Sequence, residues 1–313
     1  MAETNDARAT RDGARGGFRD NRRDDRRAEA RRHTAEMAER LGAEVERAAK
    51  ATRRYDRTPE RPAGAPGVVP AVEVVDQDSA SAVLERGRGL ASACDLAVLD
   101  FASFTYPGGG YDRGTMAQEE ALCSESFLYN VLERQRGWYA ENRRANINCE
   151  LYRDRALVVP RVRFERDRYH SYADVIVAAA PNARRAREDY HLDEATLERA
   201  MRGRIRLVLA IADELGHDKL VLGAFGCGVF GWEASEVAEL FRAELAGGTH
   251  VASQVTFAVP RGRRDENLEK FQHAFAKFPE RNDEPYAGRP ADPVRPAAKP
   301  SGDEGEEDWR QYL

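Results

Sequence analysis

Short apolar runs alternate with stretches of helical periodicity through the middle of the chain, from about residue 68 to residue 277. Runs suited to buried strands lie at residues 71–75, 96–101, 157–162, 172–178, 219–224 and 255–259. Helical patterns separate or follow them at residues 79–87, 116–139, 193–215, 233–245 and 266–275. The alternation predicts an α/β domain with a mainly parallel or mixed central sheet and helices on both faces.

The two ends of the chain have different patterns. Residues 1–25 consist mostly of Arg, Asp and Gly, which predicts a disordered charged arm. From residue 26, Met37, Leu41 and Val45 recur at helical spacing, so residues 26–66 are expected to form an N-terminal helical extension and a Pro- and Gly-rich connector. The main domain is then expected at residues 67–278, and a disordered, Pro-rich acidic tail at residues 279–313.

Composition excludes several classes of protein. The 313 residues carry a net charge of −5, without the basic excess of a duplex-DNA binder. No apolar run reaches the ~20 residues of a membrane helix, and the N-terminus has no apolar signal core. These observations predict a soluble, cytoplasmic protein that binds neither a membrane nor nucleic acid directly.

The cysteines and histidines give no metal-binding pattern. Cys94, Cys123, Cys149 and Cys227 form no CxxC pair, and the six histidines include no HExxH motif. We therefore expect reduced thiols, no metal site and no cofactor.

The most informative segment combines a glycine triplet with paired carboxylates. Gly108, Gly109 and Gly110 are followed, after seven residues, by Gln118-Glu119-Glu120 at the start of a helical pattern. Glycine can take positive φ and allow backbone to lie against a ligand. A carboxyl beside such a loop can supply a proton. In an arbitrary protein, however, acids in a first helical turn are favoured by the helix dipole alone.

A second glycine-rich loop, at residues 226–231, joins a predicted strand to a predicted helix. Such a loop offers free N–H groups and a helix N-terminus to an anion. Its GxGxxG spacing also fits a dinucleotide site, but only one strand remains, at residues 255–259, and no acid follows it. A plain tight turn and an activated Cys227 thiolate are further interpretations, although no histidine base stands out for the thiolate.

Together these segments give the chain a resemblance to the microbial-type poly(ADP-ribose) glycohydrolases, a catalytic branch of the macrodomain fold. The resemblance covers roughly residues 30–278. It rests on GGG-x7-QEE at 108–120, on LDFAS at 99–103, on AAPN at 179–182 and on LGAFGCGVF at 222–230. Asp100 and Trp232 depart from it, since Asn is the common residue at the first position and is frequent at the second.

The resemblance implies a three-layer α/β/α macrodomain-like catalytic domain acting on poly(ADP-ribose), with ADP-ribose as product and the chain as a monomer. Glu120 would be the catalytic carboxyl. Glu119 and Gln118 would position the riboses, Gly108, Gly109 and Gly110 would pack on the sugar, and Asp100 would lie near a ribose. The diphosphate would bind the second loop: Gly226, Cys227, Gly228, Val229, Phe230 and Gly231, with the Phe230 ring on the terminal ribose.

The chemistry fits one acid better than two. Glycosidases usually flank the scissile bond with two carboxyls, but adjacent helical residues diverge by ~100°. We therefore predict that Glu120 protonates the leaving oxygen and then takes a proton from water, while Glu119 holds a hydroxyl. Burial and a neighbouring like charge would keep Glu120 protonated near neutral pH. The alternatives are an ADP-ribose-binding macrodomain without activity and a hydrolase of mono-ADP-ribosylated protein or nucleic acid.

Overall fold

The computed structural model describes residues 7–60, 67–145 and 151–289, with side chains from residue 22 onward. Seven strands form one mixed sheet in the order β1-β4-β5-β3-β6-β7-β2. Strand β4 runs antiparallel to β1 and β5, and the other neighbours are parallel. The strands are β1 Arg53–Tyr55, β2 Ala71–Val75, β3 Leu96–Phe101, β4 Ala156–Arg166, β5 Tyr169–Ala178, β6 Lys219–Leu222 and β7 Gln254–Ala258.

Helices cover both faces of this sheet, and their apolar faces build two cores. The described helices are α1 Ala7–Ala51, α2 Ser79–Arg86, α3 Gln118–Ser124, α4 Leu128–Leu132, α5 Arg136–Ala145, α6 Ala183–Glu188, α7 Glu194–Leu215, α8 Ala234–Leu245 and α9 Asn267–Phe275. Helices α6–α9 pack on one face through residues such as Met201 and Phe241, and α1–α5 pack on the other through residues such as Val45 and Leu128. The expected three-layer α/β/α arrangement is confirmed.

The six predicted strands are all present. Most of them bury an apolar run, whereas β2 lies at an edge of the sheet and is only partly buried. Strand β1 was missed: it lies where the predicted first helix was to end, and it contributes three residues at an exposed edge beside β4. The single helix predicted over residues 116–139 is instead divided into α3, α4, a short 3₁₀ turn and the start of α5.

Parts of both flanking segments lie within the described residues. Helix α1 begins at Ala7 rather than at residue 26, since the arginines and alanines of residues 7–25 are good helix formers. Residues 279–289 lie against α9, where Arg289 bonds to Glu269 at 2.7 Å. Residues 1–6 and 290–313 of the expected disordered segments, and Cys149, lie outside the described residues.

No helix within the described ranges is both long enough and apolar enough to cross a membrane.

Candidate active site

The two glycine-rich loops follow adjacent parallel strands, so they meet at the carboxyl-terminal end of the sheet. Strand β3 pairs with β6, with Val98 opposite Val221, and each strand leads into its loop at the carboxyl end. The rings of Phe101 and Phe225, one at the start of each loop, lie 5.6 Å apart. In sheets of this kind ligands bind outside the carboxyl ends of the strands.

The first loop brings its backbone directly against the paired carboxyls. Gly108 and Gly109 have φ values of 62° and 60°, in the left-handed region that favours glycine. A Cβ on Gly109 would lie 2.7 Å from Oε1 of Glu120 and 2.8 Å from Oε2 of Glu119. A Cβ on Gly108 would lie 2.5 Å from the ring of Tyr129. The glycines are therefore required by the close approach as well as by the turn.

Gln118 fixes the start of α3 to the end of β3. Its Oε1 accepts from the N–H of Phe101 at 2.8 Å, and its Nε2 donates to the carbonyl of Leu99 at 2.9 Å and to Ser79 Oγ at 3.0 Å. The amide is thus engaged within the protein, and it positions the helix that carries the two glutamates.

The two glutamates are nearly buried and each is held by a loop N–H. Glu119 and Glu120 are 4% and 5% exposed. Ser103 donates its N–H to Oε2 of Glu119 at 2.7 Å, and Gly110 donates its N–H to Oε1 of Glu120 at 2.8 Å. Both carboxyls therefore occupy fixed positions beneath the glycine loop.

Asp100 adds a third carboxyl at this point, and it is fully buried. Among the described residues, neither of its oxygens has a hydrogen-bond partner. Burial raises the pKa of Asp100 well above its usual range, and the charge of Glu120 raises it further. Burial also raises the pKa of Glu119, with smaller contributions from Asp100 and Glu120. Both groups are thereby favoured in the neutral, protonated form.

Helix α1 is part of this site, which sequence reasoning missed. Arg23 and Arg26 each donate Nε at 2.9 Å to a carbonyl of the turn after the glycines, those of Arg113 and Gly114. His33 Nδ1 lies 2.9 Å from the hydroxyl of Tyr111. The sequence signalled that α1 lies on the domain, but nothing in its periodicity indicated which loop it would contact.

The second loop has the backbone geometry expected of an anion site. Gly226 and Gly231 have φ values of 81° and 75°. The N–H groups of Gly228, Val229 and Phe230 have no hydrogen-bond acceptor among the described residues. The Val229 side chain is 74% exposed. Three successive free donors at an exposed turn can hold a phosphate oxygen.

Helix α6 and Trp232 support this loop from below. Arg184 donates its N–H to the carbonyl of Phe230 at 2.9 Å, and Trp232 donates Nε1 to the carbonyl of Pro181 at 2.7 Å. A Cβ on Gly226 would lie 2.8 Å from the Trp232 ring, so the buried indole is packed against the turn. The departure at Trp232 therefore supplies a structural support.

Cys227 does not have the environment of an activated nucleophile. Burial raises the pKa of its thiol, and nearby Glu233 adds to the effect. Its Sγ lies 3.8 Å from the carbonyl oxygen of Phe225. A thiolate is disfavoured in such surroundings.

A row of aromatic rings connects the two loops. Phe104 of the first loop stacks on Tyr152 with ring centroids 4.8 Å apart, and Tyr152 lies 5.8 Å from Phe230. Tyr152 was not identified from sequence, because it lies in an irregular stretch with φ of 51° and no motif. The row places Phe230 on the side of its loop that faces the glycine loop.

Comparison with known proteins identifies a family and several solved structures that this chain resembles. The family model described as "Microbial-type PARG, catalytic domain" matches residues 27–167. Among solved structures, the poly(ADP-ribose) glycohydrolase of Thermomonospora curvata bound to the inhibitor ADP-HPD is 33% identical, with a TM-score of 0.69 over 81% of this chain and 100% of that one. The Deinococcus radiodurans enzyme in complex with ADP-ribose is 30% identical, with a TM-score of 0.62 over 73% of this chain and 95% of that one. No curated protein sequence matches the chain.

The match covers the full length of the T. curvata structure and 81% of this chain, so the two proteins share the fold. The paired, buried glutamates under a glycine triplet are carried on that shared fold. The chain belongs to the microbial-type poly(ADP-ribose) glycohydrolase family, whose members are glycoside hydrolases acting on poly(ADP-ribose).

Proposed function

We propose that this protein hydrolyses the ribose–ribose O-glycosidic bond of poly(ADP-ribose) and releases ADP-ribose, with Glu120 as the catalytic residue. One observation carries the proposal. Glu119 and Glu120 are nearly buried directly beneath the Gly109 backbone, beside a second loop with free N–H groups. The complex of the D. radiodurans enzyme with ADP-ribose supports that ligand class.

Glu120 acts first as a general acid. The leaving group is a sugar hydroxyl, which departs poorly unless it is protonated as the bond breaks, and a positioned acid typically contributes ~10²–10⁴-fold. The N–H of Gly110 fixes Oε1 of Glu120, and no hydrogen bond from the described residues engages Oε2. The free oxygen is the one that delivers the proton.

The same carboxyl then acts as a general base. Retaining and inverting glycosidases place two carboxyls on either side of the sugar. Here Glu119 and Glu120 both lie against one glycine, Gly109, so they approach from the same side. After proton transfer, the Glu120 carboxylate removes a proton from the attacking water, and no covalent intermediate is needed.

Glu119 serves as the hydroxyl-holding partner. Its Oε2 is fixed by Ser103, and its Oε1 is buried without a partner among the described residues. A buried polar atom without a partner is costly, and a ribose hydroxyl donating to Oε1 would satisfy it. The raised pKa of Glu119, caused mainly by burial, means that it can also donate as a neutral acid.

The second loop binds the diphosphate. The N–H groups of Gly228, Val229 and Phe230 supply donors, and the bond from Arg184 to the Phe230 carbonyl holds the turn open. A negatively charged diphosphate nearby also stabilises the oxocarbenium-like cation that develops at the ribose.

The direct test is Glu120→Gln, assayed for ADP-ribose release from labelled poly(ADP-ribose) with sizing of the products. We expect release to fall by ~10²–10⁴-fold, while ADP-ribose binding by calorimetry changes little. Glu188→Gln, an exposed acid on α6, is the matched control and should retain full activity.

Three results would contradict the proposal. Undiminished turnover in Glu120→Gln would remove Glu120 from the mechanism. Binding without release by the unaltered protein, even at high enzyme concentration, would identify a non-catalytic ADP-ribose-binding protein. Release from mono-modified protein but not from polymer would instead assign the substrate to mono-ADP-ribosyl groups.

A further inference from the structure

A second group of reactive side chains lies at the end of the sheet opposite the two loops, where the parallel strands begin. Cys94 lies two residues before β3, and His217 lies two residues before β6. Asp174 lies on β5 opposite Ala97, close to the start of β3. The three side chains therefore meet where parallel strands begin, whereas the active-site loops leave from where they end.

The ligand atoms of these side chains are mutually close. His217 Nε2 is 3.0 Å from Asp174 Oδ2, and Cys94 Sγ is 3.9 Å from Asp174 Oδ1. All three ligand atoms lie within 4.8 Å of one another. Zinc bonds of about 2.0–2.3 Å in a tetrahedron separate the ligand atoms by roughly 3–4 Å. Only small side-chain adjustments would bring the three atoms around one ion.

Backbone geometry orients the central carboxylate. The N–H of Arg161 donates to Asp174 Oδ1 at 2.8 Å. Arg161 has φ of 53° and lies where the register between β4 and β5 shifts, between Val159 and Val162. Bulges of this kind often re-aim groups beside functional sites. Metal-binding carboxylates are commonly held by a hydrogen bond from outside the ligand set.

The three side chains open into a cavity of about 510 Å³ between α1 and the sheet. Its wall also carries charged residues from several elements: Glu44, Arg47, Arg53, Arg161 and Glu214. Three protein ligands with one open position are typical of zinc sites that take water or an external ligand as the fourth. The cavity leaves room for that ligand.

A thiol nucleophile explains this group less well. In such sites a histidine contacts the cysteine and activates it, whereas here His217 Nε2 is bonded to Asp174. Burial, with a smaller contribution from the charge of Asp174, raises the pKa of Cys94 to about 11, so the thiolate is disfavoured without a cation beside it.

We propose that Cys94, Asp174 and His217 bind one divalent transition-metal ion of the zinc type, with the fourth coordination position open to the cavity. Sulfur, imidazole and carboxylate together suit Zn²⁺ or Co²⁺ better than Mg²⁺ or Ca²⁺. The site departs from the expectation of no metal site, because its ligands are 80 and 43 residues apart along the chain and form no sequence motif.

The test uses the full chain, stripped with a chelator and kept reduced, and titrated with Co²⁺ alone and then with Zn²⁺ alone. We expect one equivalent of Co²⁺ to bind, with a thiolate-to-cobalt charge-transfer band and the visible bands of tetrahedral coordination. Zn²⁺ should displace it. Cys94→Ala should abolish the charge-transfer band, and His217→Ala should weaken binding by more than the ~10–100-fold typical of an outer-shell change.

The controls are Cys227→Ala and His170→Gln, which alter a thiol and an imidazole outside the group and should bind Co²⁺ as the unaltered protein does. Circular dichroism checks folding, and Cys94→Ser and His217→Gln replace any variant that fails to fold. The absence of a charge-transfer band from the unaltered protein would overturn the proposal. The proposal would also be overturned if the Cys94 and His217 variants bound Co²⁺ as tightly as the unaltered protein does.

Discussion

At the scale of single residues, the proposed active site depends on backbone that comes very close to two carboxyls. Gly109 lies at φ 60° with no space for a Cβ beside Glu119 and Glu120. The neighbouring N–H of Gly110 holds Glu120 itself. The glycine loop thus determines the position of the acid as well as the shape of the surface above it.

Gly109→Ala should therefore reduce activity strongly. The added methyl would displace both carboxyls, and a misplacement near 1 Å can cost ~10²-fold in rate. The left-handed backbone adds roughly 1–2 kcal/mol to the loss of folding stability. Steady-state assays of ADP-ribose release and urea unfolding would measure the two effects.

Two other glycines separate the effect of the left-handed backbone from the effect of contact with the carboxyls. Gly216→Ala shares the positive φ but would meet nothing within 4 Å, so it should lose stability and keep activity. Gly137→Ala lies in α5 with open space around it and should be neutral or stabilising by up to ~1 kcal/mol. If Gly109→Ala retained the activity of these controls, the close approach would have no catalytic importance.

At the scale of elements, α1 is linked to the proposed catalytic carboxyl through the turn that follows the glycines. Arg26 donates to the carbonyl of Gly114, and Thr115 in the same turn donates its N–H to the carbonyl of Gly110. Gly110 in turn holds Glu120. Hydrogen bonds through this turn therefore link helix α1 to the N–H group that holds Glu120.

Arg26→Ala should lower kcat by about 10-fold with little change in KM, because the part-buried charged hydrogen bond is worth roughly 1.5–3 kcal/mol. Steady-state kinetics on poly(ADP-ribose) would measure both constants. Arg27→Ala removes an adjacent, exposed arginine and should leave kcat unchanged. Equal kinetics for the two variants would show that the α1 contact does not reach the chemistry.

At the scale of the whole molecule, burying several carboxyls together makes stability depend on pH. The pKa values of Asp100 and Glu119 are raised in the folded protein, mainly by burial. In the unfolded chain they return to about 3.9–4.3. Above that range the unfolded chain has released protons that the folded protein retains. Stability therefore decreases as pH rises, until the folded pKa values are passed.

Asp100→Asn removes one of the carboxyls that retain a proton in the folded protein and release it on unfolding. Relative to the unaltered protein, the variant should gain stability with rising pH by up to ~1.4 kcal/mol per pH unit. Urea unfolding between about pH 5 and pH 8 would measure the difference. Asp283→Asn, which changes an exposed acid, should show no such trend. A constant difference between Asp100→Asn and the unaltered protein would mean that Asp100 is not protonated in the fold.

The sequence alone determined the features that depend on local pattern. Apolar runs indicated six strands, most of which are buried on both faces because helices cover the sheet on either side. The GGG-x7-QEE string indicated the segment proposed to be catalytic, through its resemblance to the family. Met37, Leu41 and Val45 placed the first helix on the domain.

Only the tertiary structure decided which distant residues meet. Three features depend on strand order and on how the layers pack: the contact of α1 with the turn after the glycines, the full burial of Asp100, and the Cys94–Asp174–His217 group. Such contacts join residues far apart in the chain, and no periodicity records them. Local pattern fixes what each segment buries, whereas the packing of the layers fixes what each buried group lies against.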